Sequence, residues 1–230
     1  MSISSIVVFA QGQDFPSKRN ISIGFTFSPD YGYRILKPDD SSTSNTIATN
    51  RDGREIPGLG LTTGINVSLK IKNRIHLETG LLYAEKGYTF QTPTFIYIGP
   101  VDPTIPKNAH LIYKYHYLDV PIKLNYYFLT GGLKLYGTAG ISPNIFIGNN
   151  VYVNYQNNTG NIHHGSNSSN NFNKINLAVI TGLGLQYDLN NKLYIKAEPV
   201  YRRSITSIKD APIKEYLYSF GINSGIYINL

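Results

Sequence analysis

Residues 58–71, GLGLTTGINVSLKI, alternate strictly. Leu59, Leu61, Ile65, Val67, Leu69 and Ile71 share one phase with Thr63, and Gly, Thr, Asn, Ser and Lys fill the other. Side chains of a β-strand point to opposite faces in turn, so this stretch has one apolar face and one polar face of mostly small residues. The same pattern recurs over 21–28, 74–88, 117–128, 133–141, 174–188, 192–203 and 216–230, and no convincing amphipathic helix lies between them. A chain of such two-faced strands must close on itself or stack against another sheet, and the choice turns on which face is inside.

The connections carry an independent signal. Segments two and three are joined by KNR, four and five by LTGG, and six and seven by LNN, which is tight-turn chemistry. The remaining connections, near 29–57, 91–112, 148–173 and 206–214, are longer and mostly polar. Short and long alternate along the chain, as in membrane barrels whose short turns are periplasmic and long loops extracellular, with both termini periplasmic.

A soluble ligand-carrying barrel needs its apolar phase inside, yet eight strands enclose a space that their own side chains nearly fill. The glycine-rich polar phase fits there, whereas the Leu, Ile, Phe and Tyr of the other phase would overfill it. With the apolar phase outside, the belt far exceeds the patch a soluble monomer exposes. Only 15% of residues are charged, against roughly 25% in soluble domains, and the chain holds 19 Tyr, 10 Phe and no Trp. Apolar runs stay well short of a membrane helix, so any crossing is made by strands. The fold expected is therefore all-β, an eight-stranded antiparallel up-and-down transmembrane β-barrel. A two-sheet sandwich is the soluble alternative. Tyr83, Tyr126, Tyr187, Tyr201, Tyr216 and Tyr218 fall near the ends of apolar phases, where interfacial aromatic girdles belong.

Residues 1–10 read as a signal-peptide remnant with a short apolar run and a small-residue cleavage context, although a basic leader is missing. Residues 11–20 follow as a periplasmic segment, and 21–230 form the barrel domain. Localisation in a bacterial outer membrane, contact with its lipid and a monomeric state are the corresponding expectations. The formal charge of +7 is scattered, so no nucleic-acid partner is expected, and the absence of cysteine rules out disulfides and thiolate chemistry.

The stretches LETGLLYAEKGY, YLDVPIKLNYYF and GINSGIYINL resemble the small PorT-like outer-membrane β-barrel proteins of Bacteroidetes, with Gly80, Tyr83, Glu85, Lys86, Gly87, Tyr88, Tyr117, Leu118, Pro121, Leu124, Tyr126 and Tyr127 in the recurrent places. The resemblance covers most of 21–230 through loose motifs. It implies a bacterial outer-membrane barrel, usually of unassigned activity; the secretion role of PorT itself is not carried over.

Charges in a lumen need partners. The inward phase places Lys70, His76, Glu78, Asp119, Lys123, Lys196, Glu198 and Arg202 there, with Glu78, Lys123, Lys196 and Glu198 at similar depth and Asp119 and Arg202 higher. A paired network plugging the lumen is expected, serving either to hold the barrel together or as a narrow ion path. Among possible chemistries, His163 and His164 sit beside Ser166 in an Asn-rich loop, and His110 and His116 flank the fourth segment, without recognisable catalytic or metal-ligand spacing. No cofactor is expected and the chain does not read as an enzyme; the competing reading is an enzyme acting on outer-membrane lipid, with a His, Ser and acid cluster at the outer rim. Working parts are expected in the loops. Phe95, Ile96, Tyr97 and Ile98 either extend the wall or present an edge to an extracellular partner, while DSSTSNTIATNRDGRE reads as mobile and solvated.

Overall fold

In the computed structural model, which describes residues 20–91, 109–155, 162–164 and 172–230, alternation becomes strand after strand. The elements are β1 (Ile21–Pro38), α1 (Ser42–Asp52), β2 (Glu55–Lys72), β3 (Ile75–Gln91), β4 (Ala109–Asp119), β5 (Ile122–Leu129), β6 (Leu133–Tyr155), β7 (Ile162–His164), β8 (Ile175–Asp188), β9 (Leu193–Ser204) and β10 (Ile213–Asn229). Each wall strand pairs antiparallel with its neighbours, and β1 pairs both β2 and β10, so the sheet has no free edge and closes into a ring. β4 and β5 share one position in that ring, both lying between β3 and β6, and β7 is an outlying partner of β6, which leaves eight wall positions.

The break between β4 and β5 follows from Pro121, which has no N–H for the ladder. Val120 donates instead to the carbonyl of Pro143 on β6, so the wall stays continuous across the break.

The apolar phase faces outward. Phe25, Phe27, Leu59, Ile65, Leu81, Leu183, Phe220 and Ile226 are about half exposed or more, with Leu59 at 73%, whereas Thr26, Asn66, Glu78, Asn125 and Ser219 of the other phase are buried. Of the tyrosines expected in a girdle, Tyr83, Tyr126 and Tyr187 are exposed, and Tyr201, Tyr216 and Tyr218 are partly so.

The interior also holds large rings. Tyr127, Tyr136, Tyr194 and Tyr227 are buried in the inward phase, and glycines on facing strands make the room. A Cβ on Gly24 would overlap the Tyr227 ring, and one on Gly184 would overlap Tyr136.

Two expectations about loops need correction. The strands continue well past the expected loop boundaries, with β1 running to Pro38 and β6 to Tyr155, because alternation persists there: Ser28, Asp30, Gly32 and Arg34 stay in the inward phase of β1. The segment expected to be mobile and solvated contains a helix, α1, with Ser44 and Ala48 buried. Phe95, Ile96, Tyr97 and Ile98, and the signal-like residues 1–10, lie outside the described residues.

Candidate functional site

The interior is a stack of polar layers. In the lower layer Glu78, 1% exposed, is the hub. Lys123 Nζ donates to one of its oxygens at 2.7 Å and Lys196 Nζ to the other at 2.7 Å. Asn125 Nδ2 at 3.2 Å and the Tyr227 hydroxyl at 3.4 Å complete its shell. Glu198 accepts from Lys123 at 3.3 Å, from the Tyr136 hydroxyl at 2.9 Å and from Asn223 Nδ2 at 3.1 Å. The Lys196 ammonium also lies 4.7 Å from the Tyr227 ring centre and 5.2 Å from that of Tyr136, a favourable cation–π arrangement for a desolvated cation. Two ammonium groups face two carboxylates, so the layer is neutral.

Five wall positions supply these groups: β3 carries Glu78, β5 Lys123 and Asn125, β6 Tyr136, β9 Lys196 and Glu198, and β10 Asn223 and Tyr227. Strand periodicity alone places them, since every one is in the inward phase.

Above it, Asp30 of β1 receives Arg202 Nη1 at 2.7 Å, the Ser28 hydroxyl at 2.8 Å and the Thr62 hydroxyl at 2.5 Å. Across the lumen Lys86 pairs with Asp119 at 2.8 Å, and Asn144 Nδ2 donates to Asp119 at 2.5 Å. Arg202 also donates to Asn223 Oδ1 at 2.5 Å, so Asn223 ties the middle layer to Glu198 below.

The outer mouth is closed by an arrangement that includes elements outside the wall. Arg34 Nε donates to Glu55 at 2.5 Å, and Arg34 also pairs with Asp52 at the end of α1. Arg51 of α1 reaches Glu55 at 2.6 Å, the Tyr88 hydroxyl at 2.9 Å and Glu215 at 3.2 Å. Burial disfavours the Arg51 charge, yet its hydrogen bond to Glu55 and the fields of Tyr88, Glu215 and Glu55 outweigh that cost, so its pKa is raised. Beside these charges lies an apolar cluster of Ala84, Tyr88, Tyr115, Tyr117, Ile208 and Leu217, with Phe146 and Phe172 against it. Ile208 comes from the connection between β9 and β10, which folds inward: its N–H donates to the Glu215 carbonyl at 2.8 Å, and its carbonyl accepts from Asn173 at 3.0 Å.

Of the eight residues expected in one network, the structure brings Glu78, Lys123, Lys196 and Glu198 together, links Arg202 to them through Asn223, and seats Asp119 in a separate pair with Lys86. Lys70 and His76 face each other across β2 and β3 at the short-turn end, and neither forms an ion pair among the described residues. Both are only partly buried, the His76 ring lies 4.4 Å from that of Tyr127, and the expectation of one charge network including them is corrected. The sequence reading missed Asp30, Arg34, Glu55 and Glu215, because it stopped the first strand at Ser28, began the second at Gly58 and began the last at Tyr216. Continuing the phase past Pro29 would have found Asp30 and Arg34.

Of the histidines, His116 is on the outward phase, with its Nδ1 2.6 Å from the Tyr83 hydroxyl and its Nε2 3.1 Å from Asn150. The neighbouring Glu85 is held by Lys114 at 2.6 Å. His163 and His164 lie on β7, opposite Tyr152 and Val151 of β6. Among the described residues no group of three or more His, Asp or Glu side chains could hold a metal, and no helix is long and apolar enough to cross a membrane.

Residues 9–210 match the family described as the outer membrane protein beta-barrel domain. The chain belongs to that family. An outer-membrane beta-barrel protein of this kind resides in the bacterial outer membrane, and its exposed apolar wall is the lipid-facing surface. No curated protein matches it. Among solved structures it is similar to neisserial surface protein A (NspA), at 14% identity over 91% of this chain and 97% of that one, TM-score 0.46. It is also similar to the outer membrane protein OprG from Pseudomonas aeruginosa, at 12% identity over 96% and 99%, TM-score 0.43. A third is the outer membrane protease OmpT from Escherichia coli, at 9% identity over 96% and 100%, TM-score 0.42.

Proposed function

We propose that this outer-membrane barrel neither conducts nor catalyses, and that it works through its extracellular end as a monomeric surface-binding protein. The reading rests on one observation: charged groups fill the lumen at successive levels in neutral, hydrogen-bonded sets, and an aromatic cluster with Ile208 seals the outer mouth. A water-filled path needs unpaired polar walls and free width; here the interior cations and carboxylates satisfy each other. The histidine at the outer rim supports the non-catalytic part, since His116 is engaged by a phenol and an amide, and the nearby acid is neutralised by Lys114. The segment Phe95–Ile98 is the proposed contact, as the edge offered to an extracellular partner. A finer placement among PorT-like barrels of Bacteroidetes draws on the stretches around Gly80–Tyr88 and Tyr117–Tyr127.

The test is planar-bilayer recording of the purified barrel together with mass analysis of lipid A from cells that express it. A silent bilayer and unaltered lipid A are expected. Discrete openings would refute the closed lumen, and a shifted lipid A mass would establish the enzyme instead.

A further inference from the structure

The outer wall has a dent that its strand pairing explains. Pro29 on β1 and Pro199 on β9 both face outward at the same level, on either side of Ile222 of β10. β1 and β10 pair through Phe27↔Ser224 and resume at Asp30↔Gly221, with the rungs at Ser28 and Pro29 missing between. β8 and β9 likewise pair at Gly182↔Val200 and resume at Leu185↔Ala197, skipping the rungs at Glu198 and Pro199. β9 and β10 remain paired with each other through Ile222↔Pro199 while losing their other partners at this height. The reason is local: neither proline has an N–H to give. An open groove of about 860 Å³ lies there, lined by Pro29, Tyr31, Thr181, Pro199, Phe220 and Ile222 among others. That lies within the range of about 300–1,000 Å³ usual for ligand sites.

The groove lies six to eight residues from the short-turn ends of its strands, which at about 3.3 Å per residue and a tilt near 40° is about 15–20 Å above the periplasmic edge. It therefore opens toward the outer leaflet.

Immediately above it the outward phase turns basic. Arg203 faces outward four residues beyond Pro199 and pairs in register with Tyr218, and Lys37 and Lys214 form a facing pair four rungs higher, with Lys37 5.2 Å from the Tyr216 ring centre. Unlike the cations of the lumen, none of these three forms an ion pair among the described residues. In a bilayer an apolar groove gains nothing from exchanging one hydrocarbon chain for another, so residence depends on close fit and on what holds the head. Unneutralised cations at headgroup height above a chain-sized groove provide that hold.

We propose that this groove binds a phosphorylated, multiply acylated glycolipid of the outer leaflet, a lipid A-type molecule, with an acyl chain between the two proline gaps and its phosphates on Arg203, Lys37 and Lys214. The site is on the outer wall, and is independent of the closed lumen and of any loop partner.

Native mass spectrometry of the full chain in mild detergent tests this, with bis-phosphorylated lipid A, the same lipid A stripped of phosphate, and phosphatidylglycerol as probes. Folding of each variant is checked by its heat-dependent gel mobility. Bis-phosphorylated lipid A should be retained in preference to both other probes. Arg203→Gln and Lys214→Gln should each lower retention about fivefold. Thr181→Trp, which fills the groove, should lower it as well, while Leu124→Trp on the far wall should leave it unchanged. Equal retention of phosphorylated and stripped lipid A by the wild type would overturn the proposal without recourse to any variant. So would preference for phosphatidylglycerol, or a second copy of the chain in place of lipid.

Discussion

The lower charge layer and the outer mouth hold similar groups by different means. Around Glu78 every partner is a wall residue in the inward phase, all are nearly fully buried, and each lysine is shared or stacked on tyrosine rings. At the mouth, Glu55 and Glu215 are as deeply buried, but their partner Arg51 belongs to a helix and is 23% exposed, and Asp52, which pairs with Arg34, is 60% exposed. The lower layer is part of the barrel's frame, and the mouth is a lid fastened to it. The first should govern global stability and the second local order.

The largest effect expected to separate them is at Glu78. Glu78→Ala leaves Lys196 buried without its ion pair and Lys123 with Glu198 alone. Breaking a buried pair from one side costs about 3–5 kcal/mol, so the urea midpoint of the barrel in detergent or lipid should fall steeply. A midpoint within error of the wild type would show that the lower layer is hydrated and is no frame. Next comes Tyr136→Phe, which removes the hydroxyl that donates to Glu198. A hydrogen bond to a charged group is worth about 1.5–3 kcal/mol, and this change should lower the same midpoint without altering the heat-dependent gel shift.

Packing around the tyrosines gives a third probe of the frame. Gly24→Ala would drive a methyl group into the Tyr227 ring, beside which Gly225 of the same strand also leaves room. Overpacking costs about 1–3 kcal/mol. A double mutant with Tyr227→Leu, which removes the ring together with its hydroxyl bond to Glu78, should fall short of the sum of the single effects, because the added methyl no longer has a ring to strike. Full additivity would mean that the glycine is not there to admit the ring.

The same division decides what could be read from the sequence. Glu78, Lys123, Lys196 and Glu198 each sit in the middle of an alternating segment, so period-two counting fixes their face and counting from the tight turns fixes their depth. Arg34, Glu55 and Glu215 obey the same phase, but sit beyond the ends of the clearly alternating segments, next to polar stretches that look like loop. Arg51 is harder. It stands on α1, an 11-residue helix from a polar stretch with few apolar residues, whose order comes from tertiary contacts that no local pattern encodes. Ile208 is similar, a lone apolar residue in a short connection that is buried because the connection folds back into the mouth. Register within a strand is local information, whereas the fastening of a lid is not.

The smallest effect, and the sharpest for the comparison, is therefore at Arg51. Arg51→Ala removes the contacts to Glu55, Tyr88 and Glu215 at once, yet the guanidinium is partly open to water and Arg34 still pairs with Glu55, and Lys209 still lies 3.7 Å from Glu215. Solvent screening and these remaining cations should hold the global cost to about 1 kcal/mol or less. Local order should respond more than the midpoint does, because opening a lid need not open the frame. Hydrogen exchange should show the amides of α1 losing protection in Arg51→Ala, while those of β3, β5 and β9 around Glu78 keep theirs. If protection fell throughout the barrel together, the mouth and the lower layer would be one cooperative unit, and the distinction between lid and frame would have to be given up.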